Sequence, residues 1–128
     1  MQLGYVIAFV PDVAAAIAFY ERAFDLKPGF VSDTGFYGEM RTGTTALGFA
    51  AEKFVADGGT DFAPTRRDGK PPALEIAFIA DDVPAALKRA TDAGATMVKP
   101  PEVKPWGQTV AYVRDLNGLL VELCTKMG

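Results

Sequence analysis

The chain has 128 residues, enough for one domain with a buried core, and is 49% hydrophobic and 23% charged with a formal charge of −3. That acidic balance provides no basic field for a phosphate backbone, and no apolar run is long enough to span a bilayer, so neither nucleic acid nor membrane is an expected partner. Histidine is absent and cysteine occurs once, as Cys124. Ser-His and Cys-His nucleophile pairs and an internal disulfide are thereby excluded, and a reducing cytoplasm is the expected location. The opening Met-Gln-Leu-Gly does not read as a signal peptide.

Residues 3–10, LGYVIAFV, form a β-branched and aromatic run that predicts a strand. After Pro11-Asp12, the segment VAAAIAFYERAF places Val13, Ala16, Ile17, Tyr20 and Phe24 on one helical face, with Asp12 as N-cap. Three strand-like runs follow, PGFVSDT, FYGEMRT and TTALGFAA, separated by turn residues. Residues 51–72, AEKFVADGGTDFAPTRRDGKPP, lose periodicity and collect glycine, proline and charge, which marks a linker or flap. Its Phe54 and Phe62 read as packing under a long loop.

Residues 73–80, ALEIAFIA, predict another strand. Asp81-Asp82 and VPAALKRATDAG then predict a helix presenting Val83, Ala86, Leu87 and Ala90, stopped at Gly94. Asp82-Val83 lies 70 residues after Asp12-Val13. Two copies of one supersecondary unit account for this spacing. Runs ATMVKPP, TVAYVRD and LLVELCT complete the second copy, and Asn117-Gly118 is the strongest hairpin signal in the chain. Each half therefore reads β-α-β-β-β. The expected modules are residues 1–50 and 73–128, joined by the linker at 51–72.

The paired βαβββ pattern, the stretch FVPDVAAAIAFYERAF and the terminal PWGQTVAYVRDLNGLLVEL together resemble the vicinal oxygen chelate superfamily, which includes glyoxalase I, bleomycin-resistance proteins and extradiol dioxygenases. The resemblance covers nearly the whole chain outside the linker. It implies an α+β, glyoxalase-like fold of two tandem modules whose curved, open-barrel sheets surround a pocket, and a homodimer. It also implies metal ligands on the first and last strands of each module. In this sequence those positions hold Tyr5, Glu75, Glu122 and either Gly48 or Phe49.

Both glutamates interrupt apolar strands, and strand alternation separates them from their neighbours. Leu74, Ile76 and Phe78 are expected under the helix, with Glu75 on the opposite face. Leu119, Val121 and Leu123 are likewise expected inward, leaving Leu120, Glu122 and Cys124 on the face of Glu75. A carboxylate in an apolar hollow needs a cation, a donor or a shared proton.

Three functional readings follow. The first is a small-molecule binder of the bleomycin-resistance type, without a cofactor. Tyr5, Phe9, Trp106, Gln108 and Tyr112 would contact its ligand, and Glu75 and Glu122 would supply polar anchors. The second is a lyase, isomerase or dioxygenase holding a divalent ion (Mn, Mg, Zn, Ni or Fe) through Glu75 and Glu122, with Glu122 also catalytic. A third keeps a glutamate of raised pKa as acid or base without a metal.

Overall fold

In the computed structural model, which describes residues 1–128, β1 (Tyr5–Val10) leads into α1 (Val13–Phe24), then β2 (Lys27–Val31), β3 (Tyr37–Arg41) and β4 (Ala46–Ala51). After a short α2 (Glu52–Asp57) the order recurs as β5 (Glu75–Ile79), α3 (Val83–Asp92), β6 (Thr96–Val103), β7 (Thr109–Arg114) and β8 (Leu120–Cys124). The chain divides into two compact modules, Met1–Pro64 and Thr65–Gly128. The first contains a four-stranded sheet ordered β1-β4-β3-β2, and the second a sheet ordered β5-β8-β7-β6. In each, the outer first strand runs parallel to the last, and the remaining pairs are antiparallel. This is the α+β, βαβββ architecture that the repeat predicted.

Both long helices start on an aspartate. The Asp12 side chain accepts a hydrogen bond from the Ala15 N–H and that of Asp82 from the Ala85 N–H, each at 3.0 Å. Each bond satisfies one of the orphan donors of a first turn. Replacing either aspartate with alanine should lower stability by about 1 kcal/mol. Urea denaturation reads this directly, and an unchanged midpoint would remove the caps from the list of stabilising features.

Helix α1 buries Val13, Ala16, Ile17, Phe19, Tyr20 and Ala23. The apolar stripe is broader than the expected one, because Phe19 is fully buried while Phe24 is only half-buried. Below the helix, the Phe49 ring meets Tyr20 with centroids 4.9 Å apart. Gly38 of β3 allows the close approach, since a Cβ there would fall 2.5 Å from the Ile17 Cδ1. In the second module, Val83 and Ala90 of α3 are buried, as are Ala111, Val113, Val121 and Leu123 of the sheet.

Three local expectations need adjustment. Leu74 is 59% exposed and precedes β5, whose ladder begins with Glu75 opposite Leu120. Pro71-Pro72 just upstream lack the N–H donors that would extend the pairing. The Asn117-Gly118 pair does not form a two-residue hairpin turn, because only Gly118 has positive φ, at 100°. The loop starts instead at Asp115, whose carboxylate accepts from the Asn117 and Leu119 N–H groups, both at 2.9 Å. The aperiodic stretch 51–72 holds the last residue of β4 and all of α2, and the module boundary falls within it.

The part of that stretch beyond the boundary is tied to the second module. Arg114 donates to the carbonyls of Gly118, Arg67 and Arg66 at 2.9, 3.2 and 3.1 Å. Arg67 donates in turn to the Gly94 carbonyl and the Thr96 hydroxyl.

Candidate functional site

Strand register decides which side chains meet. In the second module, β5 places Ala77 beside Glu122, and β7 places Tyr112 directly opposite it. Glu75 is two residues before Ala77 and therefore shares its face, the one turned away from the buried residues of the sheet. Glu75, Tyr112 and Glu122 thus form one cluster on three adjacent strands. Its solvent-facing edge includes Ile79, which is 68% exposed.

Glu122 is the hub. Its Oε1 accepts from the Tyr112 hydroxyl at 2.8 Å. The Glu75 carboxyl is pushed above its ordinary range by partial loss of water, then by the Glu122 charge and by a hydrogen bond to Glu122. Ionising Glu75 beside Glu122 is thereby made less favourable. The Tyr112 hydroxyl is pushed up to about 12, chiefly by donating to Glu122 and then by desolvation. Burial, followed by Glu122, pushes the Cys124 thiol up to about 11. That thiol is buried and inert as a nucleophile at neutral pH. Lys99 lies over the Tyr112 ring, its Nζ 5.5 Å from the centroid, and makes no ion pair with either glutamate.

The first module carries a related pair that sequence reasoning did not single out. Tyr37 donates to Glu39 Oε2 at 2.7 Å, both on β3. Burial, then the Glu39 bond and charge, raise the Tyr37 hydroxyl well above its ordinary value, with a smaller contribution from Tyr5. Glu39 lies opposite Gly48 in the ladder, and a Cβ at Gly48 would fall 2.5 Å from the Tyr37 hydroxyl oxygen. The tyrosine therefore occupies space that a side chain on β4 would need.

The registers also resolve the open position. β1 aligns Ile7 with Gly48, and β5 aligns Ala77 with Glu122. With the 70-residue repeat, Gly48 is the counterpart of Glu122, and Phe49 is a fully buried core residue. The signal for Glu39 was present as a lone carboxylate in YGEMR, but only the ladder shows what it faces.

The remaining predicted contacts are dispersed. Tyr5 is 61% exposed on β1, and Phe9 packs edge-on against Phe62 with centroids 5.1 Å apart. Trp106 lies in the turn between β6 and β7 and donates its indole N–H to Gln108 Oε1 at 2.7 Å. The Gln108 amide donates to the Thr125 carbonyl at 2.9 Å. Gln108 is thus engaged at both ends in fastening the hairpin to the end of β8. No hydrogen bond or ring contact joins Trp106 or Gln108 to the glutamate cluster.

Raised tyrosines have a visible signature. Ultraviolet titration should show Tyr37 and Tyr112 ionising later than an ordinary tyrosine, whose pKa is 10.0. Their stabilising effect is complete below that value and is lost as pH rises through the folded-state pKa values. Tyr112→Phe should remove one late step. A profile identical to wild type would contradict the Tyr112–Glu122 bond.

A sequence profile of the Glyoxalase/Bleomycin resistance protein/Dioxygenase superfamily matches residues 2–123. The chain belongs to this superfamily. An uncharacterised protein of Mycobacterium bovis is 31% identical over 113 residues, which span 85% of this chain and 73% of that protein. An uncharacterised Mycobacterium tuberculosis protein matches at the same identity over 85% of this chain, but the match spans 65% of its length. Among solved structures, a glyoxalase-related enzyme from Fulvimarina pelagi has a TM-score of 0.82 at 20% identity, covering 98% of this chain and 88% of that one. At that identity the likeness speaks for the fold alone.

A divalent metal is one of the expectations the resemblance raised, and the donor set can be tested against it module by module. The first offers Tyr5, a neutral phenol, and Gly48, which has no side chain. The second offers two carboxylates on one face of the sheet, Glu75 and Glu122, with the Tyr112 hydroxyl bonded to Glu122. No group of three or more His, Cys, Asp or Glu side chains is gathered for an ion. With no nitrogen donor, a neutral phenol at one position and no donor at Gly48, these residues do not fit the superfamily's metal site. No helix of the chain is long and apolar enough to cross a membrane.

Proposed function

We propose that the protein is a metal-independent small-molecule binder whose second module anchors an organic ammonium ion through Glu75 and Glu122. The observation behind this reading is the cluster itself: a hub carboxylate oriented by Tyr112, a second carboxyl on the same face whose ionisation is disfavoured beside it, and no cation paired with either. An ammonium group would offset that repulsion with charge-assisted hydrogen bonds, and the adjacent Ala77 and Ile79 receive an apolar body. The expected working form is a cytoplasmic homodimer.

Calorimetry with n-hexylammonium tests the reading, because the probe carries the charge and an apolar tail without an aromatic ring. Binding should persist in excess chelator and disappear in Glu122→Gln. Binding that requires an added divalent ion would overturn the proposal.

The raised Glu75 carboxyl supports one alternative, general acid–base chemistry on a carbonyl substrate without a metal. Chelator-insensitive turnover that fails in Glu75→Gln while ligand affinity is kept would favour it.

A further inference from the structure

We propose that the first module contains a ligand site of its own, selective for a flat aromatic amine. A cavity of about 510 Å³ lies between the end of β1 and α2, lined by Phe9, Phe54, Val55, Asp57, Gly58 and Thr60. Its size falls in the range of small-molecule sites.

The walls are preset. Phe62 braces the Phe9 ring from the edge at 5.1 Å, and Phe36 stacks on Phe54 at 4.9 Å with the planes 16° apart. Phe54 remains 52% exposed despite that support. An aromatic ring held in place yet half-uncovered offers a stacking surface at little ordering cost.

The rim selects the polar end of the ligand. The N–H groups of Gly58 and Thr60 already donate to the carbonyls of Phe54 and Val55, so they offer nothing to an anion. The side chains available are the Asp57 carboxylate, an acceptor, and the Thr60 hydroxyl, which accepts or donates, so the rim's charge comes from Asp57. Asp57 is met only by Lys53 at 2.8 Å, a pair whose side chains are 65% and 84% exposed and which yields readily to a competing cation. Residues 52–61 contain Glu52, Asp57 and Asp61 against Lys53 alone. Charge and shape together specify an aromatic body with a protonated amine.

Tryptamine is a suitable probe, followed by amide NMR shifts on the intact protein. The shifts should cluster on the six lining residues, and Phe54→Ala should weaken binding about tenfold. Gly58→Leu provides a blocking variant that does not depend on Phe54. Gly58 has an ordinary φ of −77°, and a Cβ there meets only carbonyl oxygens at 3.4 and 3.5 Å, so the added side chain is tolerated while it obstructs the cavity. Glu122→Gln should leave these shifts intact, which separates this site from the one in the second module.

Shifts confined to Glu75, Tyr112 and Glu122, or binding unaltered by Gly58→Leu, would overturn the proposal. So would lining-residue shifts that follow protein concentration without ligand, since these would mark a contact between copies.

Discussion

Glu122→Gln should weaken ammonium binding by about ten- to a hundredfold, the loss expected when one charged hydrogen-bond acceptor is neutralised. The effect should exceed that of Glu75→Gln for a structural reason. Glu122 accepts from the Tyr112 hydroxyl and contributes the charge that raises Glu75, so neutralising it weakens that bond and removes that charge together. A glutamine at 75 still donates to Glu122 and mimics the protonated state. Glu75→Gln should therefore lower affinity modestly while stabilising the fold slightly at neutral pH.

That stabilisation follows from linkage. The folded-state pKa of Glu75 is raised, so its stabilising effect is complete below the ordinary carboxylate range. It is lost as pH climbs through the raised value, where the two carboxylates begin to repel. Ligand affinity should move the opposite way and increase over the same interval, because the site gains charge. Calorimetric titrations across that interval, paired with urea midpoints, would read both trends. Equal losses in the two glutamine variants would contradict the hub assignment.

Gly118→Ala should cost about 2–4 kcal/mol, the largest stability effect expected outside the core. Gly118 has φ of +100°, which side chains rarely adopt, and a Cβ there would fall 2.6 Å from both the Arg66 carbonyl oxygen and an Arg114 guanidinium nitrogen. The carbonyl belongs to the backbone and cannot swing aside. Any relief must break the Arg114 bonds that hold residues 66 and 67. Arg114→Ala should reproduce part of the loss without the backbone strain. Thermal melting of both variants checks this, and a Gly118→Ala protein as stable as wild type would show that the loop and linker rearrange freely.

The Asp-x-x-Gly-x-x-x-Glu pattern now has a physical reading. Asp115 folds the loop, Gly118 supplies the positive φ and space for Arg66, and Glu122 emerges four residues later on the outer face of β8.

Local physics made much of this legible in the sequence. The 70-residue repeat, the aspartate caps and the parity of Glu75 and Glu122 follow from helical and strand periods that require no tertiary information. Long-range register was not legible. Gly48 and Phe49 are adjacent in sequence, yet one lies beneath Tyr37 and the other is buried against Tyr20. A shift of one residue exchanges them, and turn signals do not fix the ladder so finely. Glu39 went unnoticed for the same reason, since its importance rests on facing Gly48. Gln108 looked free to meet a ligand because a sequence does not show that Thr125 and Trp106 occupy both ends of its amide. Side-chain pairing across strands is a tertiary property.

The most direct measurement is a carbon-13 NMR titration of the Glu75 and Glu122 carboxyls, run with excess chelator and again with equimolar zinc. The account predicts that Glu75 titrates above the ordinary range and shifts back toward it in Glu122→Gln, with its curve unaltered by zinc at one equivalent. A Glu75 titration that Glu122→Gln leaves unmoved would contradict the coupling, and a zinc-induced collapse of the Glu75 step would make these glutamates ligands of an ion.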